Sequence, residues 1–377
     1  MLRRHAVVHP TNAEKIKQKF QTNGWLLRGI PFYPIHEAEI GIPLSKNSPN
    51  EDSEIYFLFP EVIRVEQIER KTLNKTLVEK YISKIKHLDF DKNSLPPHDI
   101  IGDLLIFRLA GKDMNYLSPT KYELLTIASQ CIMEEQKRIR ASFIDLGVGG
   151  EMRIRKLKPV LARIKDDFFP AKEENNQKLF NTETKVKESG IEYYVDLTKA
   201  YYNSRLSSER NFAISVANGV FKKLNRPIDI ADPYCGVGPT LIALINSGVP
   251  IRKILANDIN SNAIKLAKRN LNKWKINLMT EQIDANKLKN NDKYDSAFDF
   301  VVVNLPRTGL KSIQSITHLL REQGVIVAWI HATEMEKNLI KNKLENIKIN
   351  NNSKHVVEMV ATRSFSGGVK LFRCVIM

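Results

Sequence analysis

From residue 228 to the C-terminus, short apolar runs alternate with stretches of helical character. The runs are Ile228-Asp-Ile-Ala231, Ile254-Leu-Ala256, Phe298-Asp-Phe-Val-Val-Val303 and Val325-Ile-Val-Ala-Trp-Ile330. The helical stretches are 241–245, free of Gly and Pro, then 263–271 and 334–346. Strands alternating with helices predict a parallel sheet. Two final runs, 356–360 and 369–376, are joined by Ser366-Gly-Gly368 and predict an antiparallel hairpin at the sheet's edge.

Upstream the pattern is less regular. Residues 1–60 read as a small α/β unit: a strand at Ala6-Val-Val8, a helix over 13–20 capped by Thr11 or Asn12 and stopped at Asn23-Gly24, and later strands at 25–27, 39–42 and 55–59. Residues 61–95 are charged, helical around 75–86, and end at Asn93-Ser-Leu-Pro-Pro97, which predicts a boundary because proline cannot continue a helix. A second unit, 96–190, opens with a strand over 98–107. An amphipathic helix over 119–133 follows, with Leu124, Leu125, Ile127, Ala128 and Ile132 at helical spacing, and then a strand at 142–146. Residues 164–190 are polar and predict a long loop or hairpin insertion. A strand at 191–197 then opens the last domain, 191–377, with a helix over 209–224 capped by Ser207 or Ser208.

The chain has 377 residues, enough for two or three domains, and 42% hydrophobic residues, enough to fill their cores. Lys and Arg exceed Asp and Glu by 58 − 42 = 16, an excess that calls for a polyanionic partner. The three cysteines, Cys131, Cys235 and Cys374, are odd in number and lack zinc spacing, which points to a reducing, cytoplasmic setting. No apolar run reaches the length of a membrane span, and the first residues lack the apolar core of a secretory signal.

The chemistry concentrates at Asp232-Pro-Tyr-Cys-Gly-Val-Gly-Pro-Thr240, between a strand and a helix. Gly236 and Gly238 let backbone approach a ligand closely, and the helix start offers free N–H groups. Asp258, 22 residues past Gly236 at the end of the next strand, suits a ribose diol. The third glycine of the dinucleotide fingerprint is absent. With Asn304-Leu-Pro306 ending a later strand, the unit resembles the class I S-adenosylmethionine-dependent methyltransferases that act on nitrogens. A second glycine stretch, Gly147-Val-Gly-Gly150, has no long apolar helix behind it and is rejected as a nucleotide site. The basic cluster Arg153, Arg155, Lys156 and Lys158 follows it.

In four stretches the chain resembles the archaeal and eukaryotic-type tRNA (guanine-37-N1)-methyltransferases. These are His98-Asp-Ile-Ile-Gly-Asp103, Gly150-Glu-Met-Arg153, 195–210 with its Arg205-Leu-Ser-Ser-Glu-Arg210, and the pair Asp232–Pro239 and Asn304-Leu-Pro306. The chain departs from the family at Tyr202-Asn-Ser204, where Phe-Ser-Pro is usual, and at Asp232-Pro-Tyr-Cys-Gly236, where Asp-Met-Phe-Ala-Gly is usual. The resemblance implies a Rossmann-like methyltransferase domain, with its parallel sheet, preceded by two smaller α/β RNA-binding domains. It implies S-adenosyl-L-methionine as cofactor, no metal, and a monomer holding tRNA at the anticodon loop and outer corner. It assigns Glu209 as proton acceptor, Arg153 as stabiliser of charge on guanine O6, Asn304 as orienter of the base and Tyr201 as a shaper of the pocket. Cofactor contacts fall on Arg205, Asp232, Tyr234, Gly236, Gly238, Asp258, Ile259, Asn260, Asp284, Ala285 and Asn304. Substrate contacts fall on Arg153, Arg155, Lys156 and Pro306. Relatives of this architecture methylate a carbon of a wyosine precursor at the same tRNA position, and a catalytically silent RNA-binding paralogue is a further alternative. Transfer of the aminocarboxypropyl group is disfavoured by Asn304-Leu-Pro306.

Overall fold

The computed structural model describes residues 2–27, 32–36, 39–69, 73–88, 95–109, 117–150, 152–347, 349 and 357–377. Asn93, Ser94, Glu151 and Val356, quoted above, lie outside the described residues. The chain divides into two units, Met1–Lys80 and Tyr81–Met377.

In the first unit, strands β1 (Leu2–Val8), β2 (Tyr33–His36), β3 (Glu39–Pro43) and β4 (Val62–Glu69) form an antiparallel sheet in the order β2-β3-β1-β4. Helix α1 (Ala13–Thr22) buries Ile16 and Phe20 among Ala6, Val8 and Ile42. The stretch expected as a strand at 55–59 is instead helix α2 (Asp52–Leu58). Only Ile55 and Phe59 are buried there, four residues apart, while Tyr56, Phe57 and Leu58 are exposed. That is a helical period, and Asp52 and Glu54 in the first turn suit a helix start. Residues 25–27 form no strand, only an isolated bridge from Leu26 to Leu44. β4 falls in the stretch expected to be a charged connection and pairs along β1. Helix α3 (Leu73–Ile85) follows.

The second unit opens with a hairpin, β5 (His98–Ile101) and β6 (Leu104–Arg108), where one strand was expected. Gly102 makes the turn at φ +60°, and a Cβ there would lie 2.1 Å from Thr184 Oγ1. Helix α4 (Pro119–Glu135), capped by Ser118, connects β6 to its parallel neighbour β7 (Ala141–Gly149). Strands β8 (Ile154–Ile164) and β9 (Asp167–Pro170) complete a sheet in the order β5-β6-β7-β8-β9. Gly147–Gly150 is thus the end of a strand and the turn into β8. The polar stretch 164–190 holds β9, a 3₁₀ turn (Glu174–Leu179) and β10 (Glu183–Glu188), which pairs antiparallel with β11 (Ile191–Asp196). Helix α5 (Ser207–Leu224) is not capped by a serine. A 3₁₀ turn, Ser204–Leu206, precedes it, and Asn203 accepts the Arg205 N–H there. Asn225 ends the helix in a left-handed conformation.

Then come β12 (Ile228–Asp232), α6 (Pro239–Asn246), β13 (Ile251–Asn257), α7 (Ser261–Leu271), β14 (Asn277–Glu281), β15 (Phe298–Val303), α8 (Gly309–Gln314), β16 (Leu320–Ala332), α9 (Glu334–Glu345), β17 (Val357–Ser364) and β18 (Lys370–Ile376). The seven strands run in the order β14-β13-β12-β15-β16-β18-β17, parallel as far as β16 and antiparallel beyond it. Successive residues of β15 feed opposite faces. Phe300 and Val302 pack with Ala213, Ala217 and Leu241, whereas Val301 and Val303 pack with Ile313 and Leu344. With helices on both faces, the crevice outside the carboxyl ends of the strands is the expected ligand site. The three cysteines are buried free thiols. Among the described residues, no helix is long and apolar enough to cross a membrane.

Candidate active site

β12 ends at Asp232, and the chain turns through Gly236 (φ +56°) and Gly238 (φ +83°) before α6 begins. Both conformations suit glycine, since a Cβ would crowd the following carbonyl. The turn is held from the next strand. Asp258 accepts the Gly236 N–H at 2.8 Å and the Asn260 N–H at 2.9 Å. Asn260 caps α7 through Asn262 N–H and donates to the Lys199 carbonyl at 2.7 Å, which ties the loop before α5 to this crevice. Beyond β14, Asp284 accepts the Asn286 N–H at 3.0 Å in a tight turn.

These turns enclose a cavity of about 210 Å³. Of the expected residues, Arg153, Tyr201, Asp232, Tyr234, Gly236, Asp258, Ile259, Asn260, Asp284, Ala285 and Asn304 line it. They come from the β7–β8 turn, the loop before α5 and the ends of four parallel strands. Burial pushes the Asp232 carboxyl up to about 7, with the Asp258 charge adding to it and the Tyr234 N–H opposing it. Burial raises Asp258 too, against its two backbone hydrogen bonds. Arg153 adopts φ +52°, uncommon for a side chain of its size. Its guanidinium stands 4.4 Å from the Tyr201 ring centroid, and its buried Nε has no hydrogen-bond partner.

Six expected residues do not line the cavity. Arg205 is paired with Asp99 at 2.8 Å. Arg155 is paired with Asp145. Lys156 is exposed beside Gly149. Gly238 lies behind the turn, against Leu271. Pro306 stands just past Asn304, its carbonyl accepting the His331 N–H at 2.8 Å. Glu209 is buried, 4% exposed, and accepts the Trp329 Nε1–H at 2.7 Å with Arg373 Nε 4.0 Å away. One residue along the helix turns about 100°, so Arg210 faces the cavity where Glu209 does not.

Sequence reasoning missed the support for that wall. Arg210 is 3% exposed and makes two 2.6 Å bonds to Glu188, at the end of β10. Tyr193 on β11 donates to Glu188 at 2.7 Å and meets the Tyr202 hydroxyl at 3.2 Å. Tyr202 also lines the cavity, and burial raises both phenols. The Tyr-for-Phe departure at Tyr202 was the one visible signal. The pairing of Glu188 with Arg210 had none.

Asp258 and Asp284 offer acceptors for a ribose, and half-exposed Ile259 offers an apolar face for a nucleobase. These groups, with the close-approach turn at Gly236, fit S-adenosylmethionine. Residues 184–360 match the TRM5/TYW2 methyltransferase domain. The chain is 27% identical over 282 residues to the tRNA (guanine(37)-N(1))-methyltransferase Trm5b of Methanocaldococcus jannaschii, covering 74% of this chain and 71% of that one. It is 30% identical over 138 residues to the tRNA (guanine(37)-N(1))-methyltransferase of Trichomonas vaginalis, covering 35% and 33%. Its fold resembles that of aTrm5 in complex with tRNALeu, at TM-score 0.57 and 21% identity over 100% and 99% of the two chains. It also resembles Trm5b from Pyrococcus abyssi, at 0.55 and 18% over 99% and 98%.

Proposed function

We propose that this chain, whose residues 184–360 match the TRM5/TYW2 methyltransferase domain, is a member of that family and transfers the methyl group of S-adenosylmethionine to N1 of guanosine at position 37 of tRNA. The observation that carries the reading is the meeting of the Asp232–Gly236 turn, Asp258, Asn304, Arg153 and Tyr201 on one cavity. Asp232, Tyr234, Gly236, Asp258, Ile259, Asn260, Asp284 and Ala285 hold the cofactor. Bound there, it supplies a methyl group already activated on a sulfonium.

The protein's task is then to position the base and manage one proton. Guanine N1 carries a proton that must leave as the nitrogen attacks. Glu209 is the acceptor. It exchanges its bond from Trp329 for the N1–H by rotating at the first turn of α5, a movement compatible with catalytic hydrogen bonds that tighten only in the complex. Negative charge gathers on O6, and the unpartnered Nε of Arg153 donates to it, worth about 3 kcal/mol. Tyr201 holds that guanidinium by its ring face. The amide of Asn304 orients the guanine edge, with Pro306 stiffening the turn. Lys156, exposed on β8, meets phosphate. Arg155, neutralised by Asp145, braces the β7–β8 turn instead.

The test is methyl transfer from labelled cofactor to two tRNA transcripts, with guanosine or adenosine at position 37, and mass identification of the product nucleoside. The expected result is 1-methylguanosine from the first transcript alone. No transfer to either, with cofactor still bound, would sink the reading, and the wyosine precursor would then be the substrate to supply.

A further inference from the structure

Three side chains beside the turn that carries Asn304 take no part in this chemistry. His331 stands near the carboxyl end of β16, its N–H bound to the Pro306 carbonyl, so it adjoins the turn that carries Asn304. Phe365 begins the tip between β17 and β18 and meets the His331 ring edge to face, with centroids 5.0 Å apart and planes at 62°. The tip is tied to the loop before α5, because Arg363 donates to the Arg205 carbonyl. Phe365 nevertheless leaves 47% of its surface exposed. The third is Arg307, one residue past Pro306. Burial first, and then the nearby charges of Arg153 and Arg307, lower the His331 imidazole pKa and favour its neutral form. Neither arginine has a carboxylate partner among the described residues.

A half-open aromatic face beside two uncompensated guanidiniums has the composition of a single-stranded nucleotide subsite. A ring covers the base, and a cation meets the phosphate. We infer that Phe365 and His331 form a stacking subsite for the RNA nucleotide adjoining the target base, with Arg307 on its phosphate. The inference rests on the RNA methyl-transfer reading. Once the target leaves its stack, its neighbour has one bare face, and Phe365 is placed to cover it.

The full-length protein is titrated with an anticodon stem–loop RNA carrying 2-aminopurine immediately 5′ or immediately 3′ of the target. Wild type is expected to change the fluorescence at one of the two positions. Phe365→Ala, on an exposed tip, should weaken binding roughly ten-fold and abolish that signal, while Phe365→Trp keeps both. With an abasic residue at the responding position, wild type and Phe365→Ala should bind equally. Equal signals from the two proteins, or a loss that persists on the abasic RNA, overturn the subsite. Tight RNA binding without methyl transfer would overturn the catalytic reading and leave the stacking result legible. Failure to bind RNA overturns both.

Discussion

Asp232 is a carboxyl under two opposed demands. Its burial favours the neutral acid, whereas a cationic sulfonium in the cavity favours the carboxylate. Its value in the free protein, about 7, is above the ordinary 3.8. In the free protein its contribution to stability is therefore fully present below about pH 4 and is lost as pH rises through about 7. Cofactor binding should pull the proton off. By calorimetry, affinity should rise from pH 6 to pH 8 with proton release, and Asp232→Asn should flatten the dependence. A flat wild-type profile would show that Asp232 is not the group. At Glu209 the test is kinetic. Glu209→Gln keeps the Trp329 bond, so the helix start is preserved, but kcat should fall by about 100-fold or more with cofactor affinity retained. An unchanged kcat would move the base elsewhere.

The hairpin of β10 and β11 decides whether the cavity has a wall. β10 lies in a polar stretch with no strong pattern, yet its Glu188, together with Tyr193 of β11, reaches the start of α5 and the loop before it. The Arg210 side chain is only 4% exposed, so removing its partner leaves a buried charge uncompensated. Glu188→Ala should cost about 3–5 kcal/mol in urea unfolding. The double variant Glu188→Met with Arg210→Met should recover most of that, because an apolar pair replaces the ion pair. If the double variant is no better than the single, the loss reflects packing rather than charge. The same logic explains the misread helix α2. Five apolar residues in a row, 55–59, looked like a strand, but only Ile55 and Phe59, four apart, are buried, and a helical turn brings both to one face.

For the whole molecule the governing quantity is the excess of 16 positive charges. On the proposed reading, Lys and Arg neutralise tRNA phosphates and release their counterions. Affinity should therefore fall along a straight line in log salt, by about 1,000-fold or more between 50 and 200 mM if six or more phosphates are engaged. Filter binding across that range checks it. A shallow slope would mean that the charge is spread over surfaces the RNA does not touch.

The strand–turn–helix order after residue 228, the glycine turn with its distant aspartate, and the Asn304 turn were legible in the sequence. Each depends on residues close along the chain, where periodicity and backbone freedom act directly. The resemblance at 195–210 pointed to a stretch that places Tyr201, Tyr202 and Arg210 at the cavity. Which side chain of that stretch faces the cavity was not legible. Arg210 and Glu209 are neighbours, and the choice between them was made by Glu188 and Trp329, 22 and 120 residues away. The same holds for Arg205 and Arg155, expected at the ligands and instead held by Asp99 and Asp145. Local pattern determines where a strand stops and a turn must bend. Only the packed tertiary structure brings distant charges within reach, and in a low-dielectric interior those charges decide which side chains remain free to act.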